Sequence, residues 1–314
     1  MQRHSSISNM FITLWLVVWL VITHTVTHAG DLEFYLNAGR LRGDFYYPYH
    51  ILPLMTALGW LPFEASLVLI QISIIGGLWL WGRAVQRPVA PAMLSFPFVF
   101  LLISGQISGL MFAGAGLCWM GCRDSRWGVA SIGVPLLLIK PQFGVPLLLV
   151  TLFHFRPNTF AVWFRLLAPY LLLNLLSLAL YGFWPLALAH TLLVDPPHAN
   201  ASVWQVLGPG VVMLWFLCLP EYVPIERLQA ALGCSAIAMP YMPVYDTVVV
   251  YAFLPWWAPV ATWLILPAYV AVGRPAFLLL MLFPVGLFGW QVARMISRSY
   301  RDGEVRYVPA DDAV

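Results

Sequence analysis

Apolar residues in this chain come in long unbroken runs rather than in alternation. Met10 to Ile22, Val129 to Ile139, Pro169 to Leu180 and Phe277 to Leu287 are examples. The wall of a membrane β-barrel would alternate outward apolar with inward polar side chains, and these runs do not. Helices are the element that satisfies every backbone group inside lipid. The pattern predicts apolar segments near 10–28, 63–82, 92–104, 106–121, 128–139, 143–154, 160–182, 208–221, 228–240, 246–257, 258–272 and 276–295. Several are shorter than the roughly 20 residues that a full crossing needs. Many of the 25 prolines stand at run ends, among them Pro141, Pro240 and Pro243. Short segments broken by proline must be buried in protein or line a wet cavity. The expected fold is therefore all-α, a polytopic transmembrane bundle of about 10–12 apolar segments, some half-length.

Composition closes off the soluble alternative. Hydrophobic residues make up 61% of the chain and charged residues 9%, against about 25% charged in ordinary soluble domains. The 15 Trp and 13 Tyr fit belts at headgroup depth. A net charge of +3, with no basic stretch interleaved with aromatics, gives no reason to expect nucleic acid. Cys118 and Cys122, four apart on a predicted helix, read as small buried hydrophobes rather than half a metal site. No metal and no cofactor are expected.

Arginine placement predicts an orientation. Lys and Arg collect on the cytoplasmic side of membrane proteins. Arg3, Arg83/Arg87, Arg123/Arg126, Arg156/Arg165, Arg227 and the tail set Arg294, Arg298, Arg301 and Arg306 place both ends and four loops inside. Arg40, Arg42, Lys140 and Arg274 remain for the outside or the membrane. Residues 1–296 then form one transmembrane domain with outer loops 29–60 and 183–206, and 297–314 form a cytoplasmic tail. The first apolar run is longer than a signal-peptide core and reads as a retained span. A short amphipathic stretch is expected near 31–42.

With charge so scarce, each ionisable group near the membrane is informative. Asp31 follows the first span directly and is either a solvated loop acid or a general base with a raised pKa. Gln106 sits in a Gly-Gln turn between two short segments, able to donate and accept. Lys140, the only lysine, stands between apolar runs with Pro141 after it. It is either a phosphate-binding ammonium at a cavity mouth or a snorkelling helix-end lysine. Asp246 begins an apolar segment after Met239-Pro240-Tyr241-Met242-Pro243-Val244-Tyr245. It is either an acid at a helix N-terminus or a substrate contact. All four fall on the outer side of the arginine-derived topology.

The succession GDLEFYLNAGRLRGDFYYPY, then GQISGLMFAGAGLCWMGCRDSRWGVASIGVPLLLIKPQFGVPLLL, then NASVWQVLG, then MPYMPVYDTVVVYAFLP resembles the polyprenol-phosphate-mannose-dependent mannosyltransferases of the GT-C class. The resemblance covers roughly residues 29–255. It implies a multi-pass inner-membrane enzyme open to the outer face. Such an enzyme moves a sugar from a polyprenyl phosphate to a glycan or glycolipid acceptor. It implies Asp31 as catalytic base, with Tyr35 beside it and Lys140 near the donor phosphate. It also implies Gln106, Asn200 and Ser202 as cavity lining; Tyr245 and Asp246, in the late motif, are candidate substrate contacts on their own position. The late motif departs from the family, which often carries Ser-Pro and a histidine there. A transporter or flippase of a lipid-linked substrate is the alternative, although no pair of related halves is visible.

Overall fold

The computed structural model describes residue 21 and residues 30–39, 47–186, 213–215, 217, 224–238 and 244–305. The expected spans 10–28 and 208–221 fall almost wholly outside them, as does most of the loop 183–206. Among the described residues every regular element is a helix or a helical turn. In chain order the α-helices are α1 Gly30–Gly39, α2 Leu52–Gly59, α3 Phe63–Val85, α4 Phe96–Ser104, α5 Ser108–Arg123, α6 Trp127–Leu137, α7 Pro141–Phe155, α8 Phe160–Tyr181, α9 Pro224–Ala238, α10 Trp257–Ala261, α11 Ile265–Val272 and α12 Leu282–Val305. Val244–Phe253 is a tighter 3₁₀ helix.

Among the described residues three helices are long and apolar enough to cross a membrane: Phe63–Val85, Phe160–Tyr181 and Pro275–Arg298. A fourth crossing arises if α4 and α5, bent by 118° at their junction, form one span. Exposure supports a lipid surround. On α8, Leu172 is 67% exposed and Leu175 64%, while Leu166 and Ser177 are its buried positions. A helix apolar all round belongs in a membrane or a core, and leaving each such side chain in water would cost about 1.5–3 kcal/mol.

The centre of the bundle is α3, α5 and α6. α5 has the middle place because it carries small residues on two faces. Gly109 leaves no room for a Cβ against α3 and Gly116 very little, and Gly114 and Gly121 leave none against α6. Both pairs are seven apart, so each recurs on one side of the helix. Without a hydrophobic drive between helices in lipid, such close backbone approach supplies the packing energy. On α3, Leu67, Ile70, Ile74, Leu78 and Trp81 form the inward stripe and are at most 2% exposed.

Arginines gather at one end of this bundle. Arg123, the last residue of α5, donates to the Ala84 carbonyl at the end of α3 at 3.0 Å. Arg165 of α8 lies against Gly128. Arg227 reaches His154 near the end of α7 at 3.3 Å. Arg294 and Arg298 of α12 pair with Glu226. Cations near helix C-termini oppose the macrodipole favourably.

Some details differ from expectation. The stretch 29–60, expected as an outer loop, contains a second helix, α2. The run expected at 246–257 is wound as a 3₁₀ helix from Val244 to Phe253, with fewer residues per turn than an α-helical span. The last helix continues through the expected boundary at 296 into the tail.

Candidate functional site

At the end opposite the arginines, polar side chains from five chain segments meet. The local sequence explains how each arrives. In α1 the acidic Asp31 and Glu33 occupy the first turn, where the dipole favours them. Asp31 and Tyr35, four apart, share one face. α4 ends at Gly105, whose φ of +65° suits a residue without a Cβ. The Gly105 and Gln106 amides both turn back to the Leu101 carbonyl. The chain then reverses, so Gln106 and Ser108 flank the break. Lys140 sits between α6 and α7, held out of helical conformation by Pro141, which starts α7. Tyr245 and Asp246 open the 3₁₀ helix.

Lys140 is the hub. Its side chain has no exposed area, nor does that of Asp246. Nζ donates to Asp246 Oδ1 at 2.9 Å and Oδ2 at 3.0 Å, to Ser108 Oγ at 2.7 Å and to Gln106 Oε1 at 3.2 Å. Ser108 in turn donates to Asp246 Oδ1 at 2.7 Å. The ammonium also lies 4.6 Å from the centre of the Tyr245 ring and 5.8 Å from that of Tyr47. A buried charge is tolerable when it is paired and hydrogen-bonded, and this one is both.

Gln106 carries the network outward. Its Oε1 accepts from Tyr35 at 2.8 Å as well as from Lys140, so its amide nitrogen must point the other way. That nitrogen donates to the Tyr245 hydroxyl at 2.8 Å, and Gln106 is near enough to Asp31 to lower its pKa. Tyr35 Oη lies 3.0 Å from Tyr47 Oη. A single hydroxyl proton serves one acceptor at a time, so when Gln106 takes it, Tyr47 donates to Tyr35.

Asp31 and Tyr47 are the partly exposed members of the group. Burial pushes the Asp31 carboxyl above the ordinary 3.8. Hydrogen bonds from Gln106 and Ser104 and the charge of Lys140 pull it down, and Asp246 pushes it up again. The balance is a raised pKa. Tyr35, fully buried, is held well above its ordinary value and remains a neutral donor.

Six of the eight residues singled out from sequence thus meet here: Asp31, Tyr35, Gln106, Lys140, Tyr245 and Asp246. Asn200 and Ser202 lie outside the described residues. Lys140 differs from expectation. It is neither a snorkelling residue nor a free ammonium at a cavity mouth, because its three protons are already taken by Asp246, Ser108 and Gln106. Asp246 is its counter-ion, and the first-turn position on a helix is secondary to that. Ser108, Ser104 and Tyr47 were missed. The two serines read as small residues of apolar runs, and Tyr47 was one ring among several in the stretch 29–60.

The cluster holds one partly exposed acid over a neutralised, fully satisfied polar floor. Such an arrangement can take a proton from a hydroxyl presented at its open side. Among the described residues no group of three or more His, Cys, Asp or Glu is placed to hold a metal ion. No family model, curated protein or solved structure matches this chain.

Proposed function

We propose that this protein is a GT-C-like membrane glycosyltransferase. It moves a sugar, in our reading mannose, from a polyprenyl phosphate to a glycan or glycolipid hydroxyl at the outer face of the inner membrane. The observation that carries the reading is Asp31, a carboxylate with a raised pKa at the end of the bundle away from the arginines. It is partly exposed and lies beside Gln106, which bonds one member of a buried ion pair. A base near the working pH is the useful kind. The acceptor O–H gives its proton to Asp31, and the oxygen forms a bond to the anomeric carbon. The bond from that carbon to the phosphate oxygen breaks, and polyprenyl phosphate leaves with the electron pair.

Lys140 has a different part from the one the resemblance implies. With its donors occupied, it fixes Gln106 and so the direction of the amide beside Asp31. The counter-charge for the donor phosphate then has to come from another cation. Arg40 and Arg42, which follow α1 in the chain, are the residues to substitute.

The sharp turn between α4 and α5 favours a second reading, since carriers build their sites at broken helices. One experiment separates the two. Purified protein in proteoliposomes is given radiolabelled polyprenyl-phosphate mannose and a glycolipid acceptor pool. Transferase activity gives a labelled acceptor, reduced by Arg40→Gln and Arg42→Gln. A carrier gives labelled donor in the opposite leaflet with its sugar–phosphate bond intact, and that result would displace the enzyme proposal.

A further inference from the structure

The arginine end of the bundle contains a cleft of about 670 Å³. Its walls include Trp79, Arg83, Gln86, Arg87, Met120 and Arg123. The chain is folded there in a specific way. Gln86 ends α3 with φ +56°, and the Arg87 amide returns to the Gly82 carbonyl at 2.9 Å. This closure directs the chain back across the helix end. Arg87 and Val89 lie so close over Gly82 that a Cβ there would strike both. Arg83, in the last turn of α3, and Arg87, just past this closure, both line the cleft.

The three arginines are not equivalent. Arg123 is engaged with the Ala84 carbonyl and with Asp124, at 2.8 Å from the latter's Oδ1. Asp124 is the one acid lining the cleft, and its carboxyl is held below the ordinary range by Arg123. Arg83 stacks over Trp79 at 5.3 Å and makes no ion pair with any described carboxylate, and neither does Arg87. Two guanidinium groups at one cleft, paired with no described carboxylate, suit a phosphate.

The cleft continues into an apolar stripe. Leu69 (47% exposed), Ile72, Gly76, Trp79 and Arg83 follow at three- and four-residue steps along one side of α3. A Cβ at Gly76 would meet nothing within 4 Å, so the stripe is open at its middle. From Trp79 to Leu69 the helix rises about 15 Å. That is about the hydrocarbon depth of one leaflet. Trp79 sits where a ring at headgroup depth belongs.

We propose that this face binds an anionic glycerophospholipid, with its phosphate between Arg83 and Arg87 and an acyl chain along Leu69, Ile72 and Gly76. The site lies about 24 Å from the Lys140 cluster, the length of α5. It does not depend on the chemistry proposed for that cluster.

The test uses the purified full chain in nanodiscs and competitive lipid retention read by native mass spectrometry. Phosphatidylglycerol is set against phosphatidylcholine. The wild type retains phosphatidylglycerol preferentially, and Arg83→Gln/Arg87→Gln lowers that preference about thirty-fold, the worth of two interfacial arginines. Arg83→Lys/Arg87→Lys keeps most of it. Gly76→Trp, which blocks the stripe without touching charge, also weakens retention. Glycerol phosphate competes poorly. Equal retention of the two lipids by the wild type would overturn the proposal, as would an unchanged preference in the glutamine variant. Full competition by glycerol phosphate would show a site for free phosphate instead of a lipid. Thermal midpoints in phosphatidylcholine alone establish that each variant is folded.

Discussion

Removing one member of the Lys140–Asp246 pair should cost far more than removing both in proportion. The two side chains are fully buried and 106 positions apart in the chain. Lys140→Met takes both ammonium contacts from Asp246 and leaves it the Ser108 hydroxyl alone. Asp246→Asn preserves shape but leaves a dry ammonium without a counter-charge. Each single change strands a charge and should lose about 3–5 kcal/mol. Independent effects would sum to about 6–10 kcal/mol in the double variant. The double variant has no buried charge to strand, and the side-chain amide introduced by Asp246→Asn would still meet Ser108. Its loss should be close to that of one single change, a coupling of roughly 3 kcal/mol or more. The assay is reversible unfolding of the purified chain in mixed micelles for all four proteins. Losses that simply add would refute the argument, since they would mean the two groups do not interact in the folded state.

Other outcomes follow from Asp31 and from the packing. The Asp31 pKa is raised in the fold, so its contribution to stability is complete below the ordinary 3.8 and is lost as pH rises through the folded value. Asp31→Asn should therefore be more stable than wild type at neutral pH, a difference that vanishes in acid; a variant less stable at neutral pH contradicts the assigned burial cost. Transfer needs the carboxylate, so kcat/KM should rise with pH through a limb lying above the ordinary carboxylate range. A profile flat down to about pH 4 would remove Asp31 as the base. Gly133→Val should destabilise the α5–α6 contact by about 1–3 kcal/mol or more, since a Cβ at Gly133 would lie 2.6 Å from the Cys118 amide. An unchanged unfolding midpoint would contradict that packing.

Much of the scaffold was legible because lipid imposes simple rules. Continuous apolar runs gave helices, and Arg123, Arg165 and Arg227, which the arginine count groups together, each lie against the end of a neighbouring helix. The Gly105-Gln106 and Lys140-Pro141 breaks located the polar cluster, because both force a helix to stop beside an isolated polar group. The pairing of Lys140 with Asp246 was not legible. Nothing local in either segment indicates a partner more than a hundred residues away, and each residue taken singly had a bland explanation. The 3₁₀ winding of Val244–Phe253 was also hidden, since it depends on how that run packs against α4 and α9 rather than on its own propensity.

The account stands on Asp31 acting as the base at this cluster. Single-turnover transfer from labelled polyprenyl-phosphate mannose, comparing wild type with Asp31→Asn and Asp31→Glu in folded, lipid-reconstituted protein, tests it most directly. Asp31→Asn should slow transfer by about 10²–10⁴-fold while donor binding is kept, and Asp31→Glu should recover part of the rate. Transfer by Asp31→Asn at the wild-type rate would contradict the account.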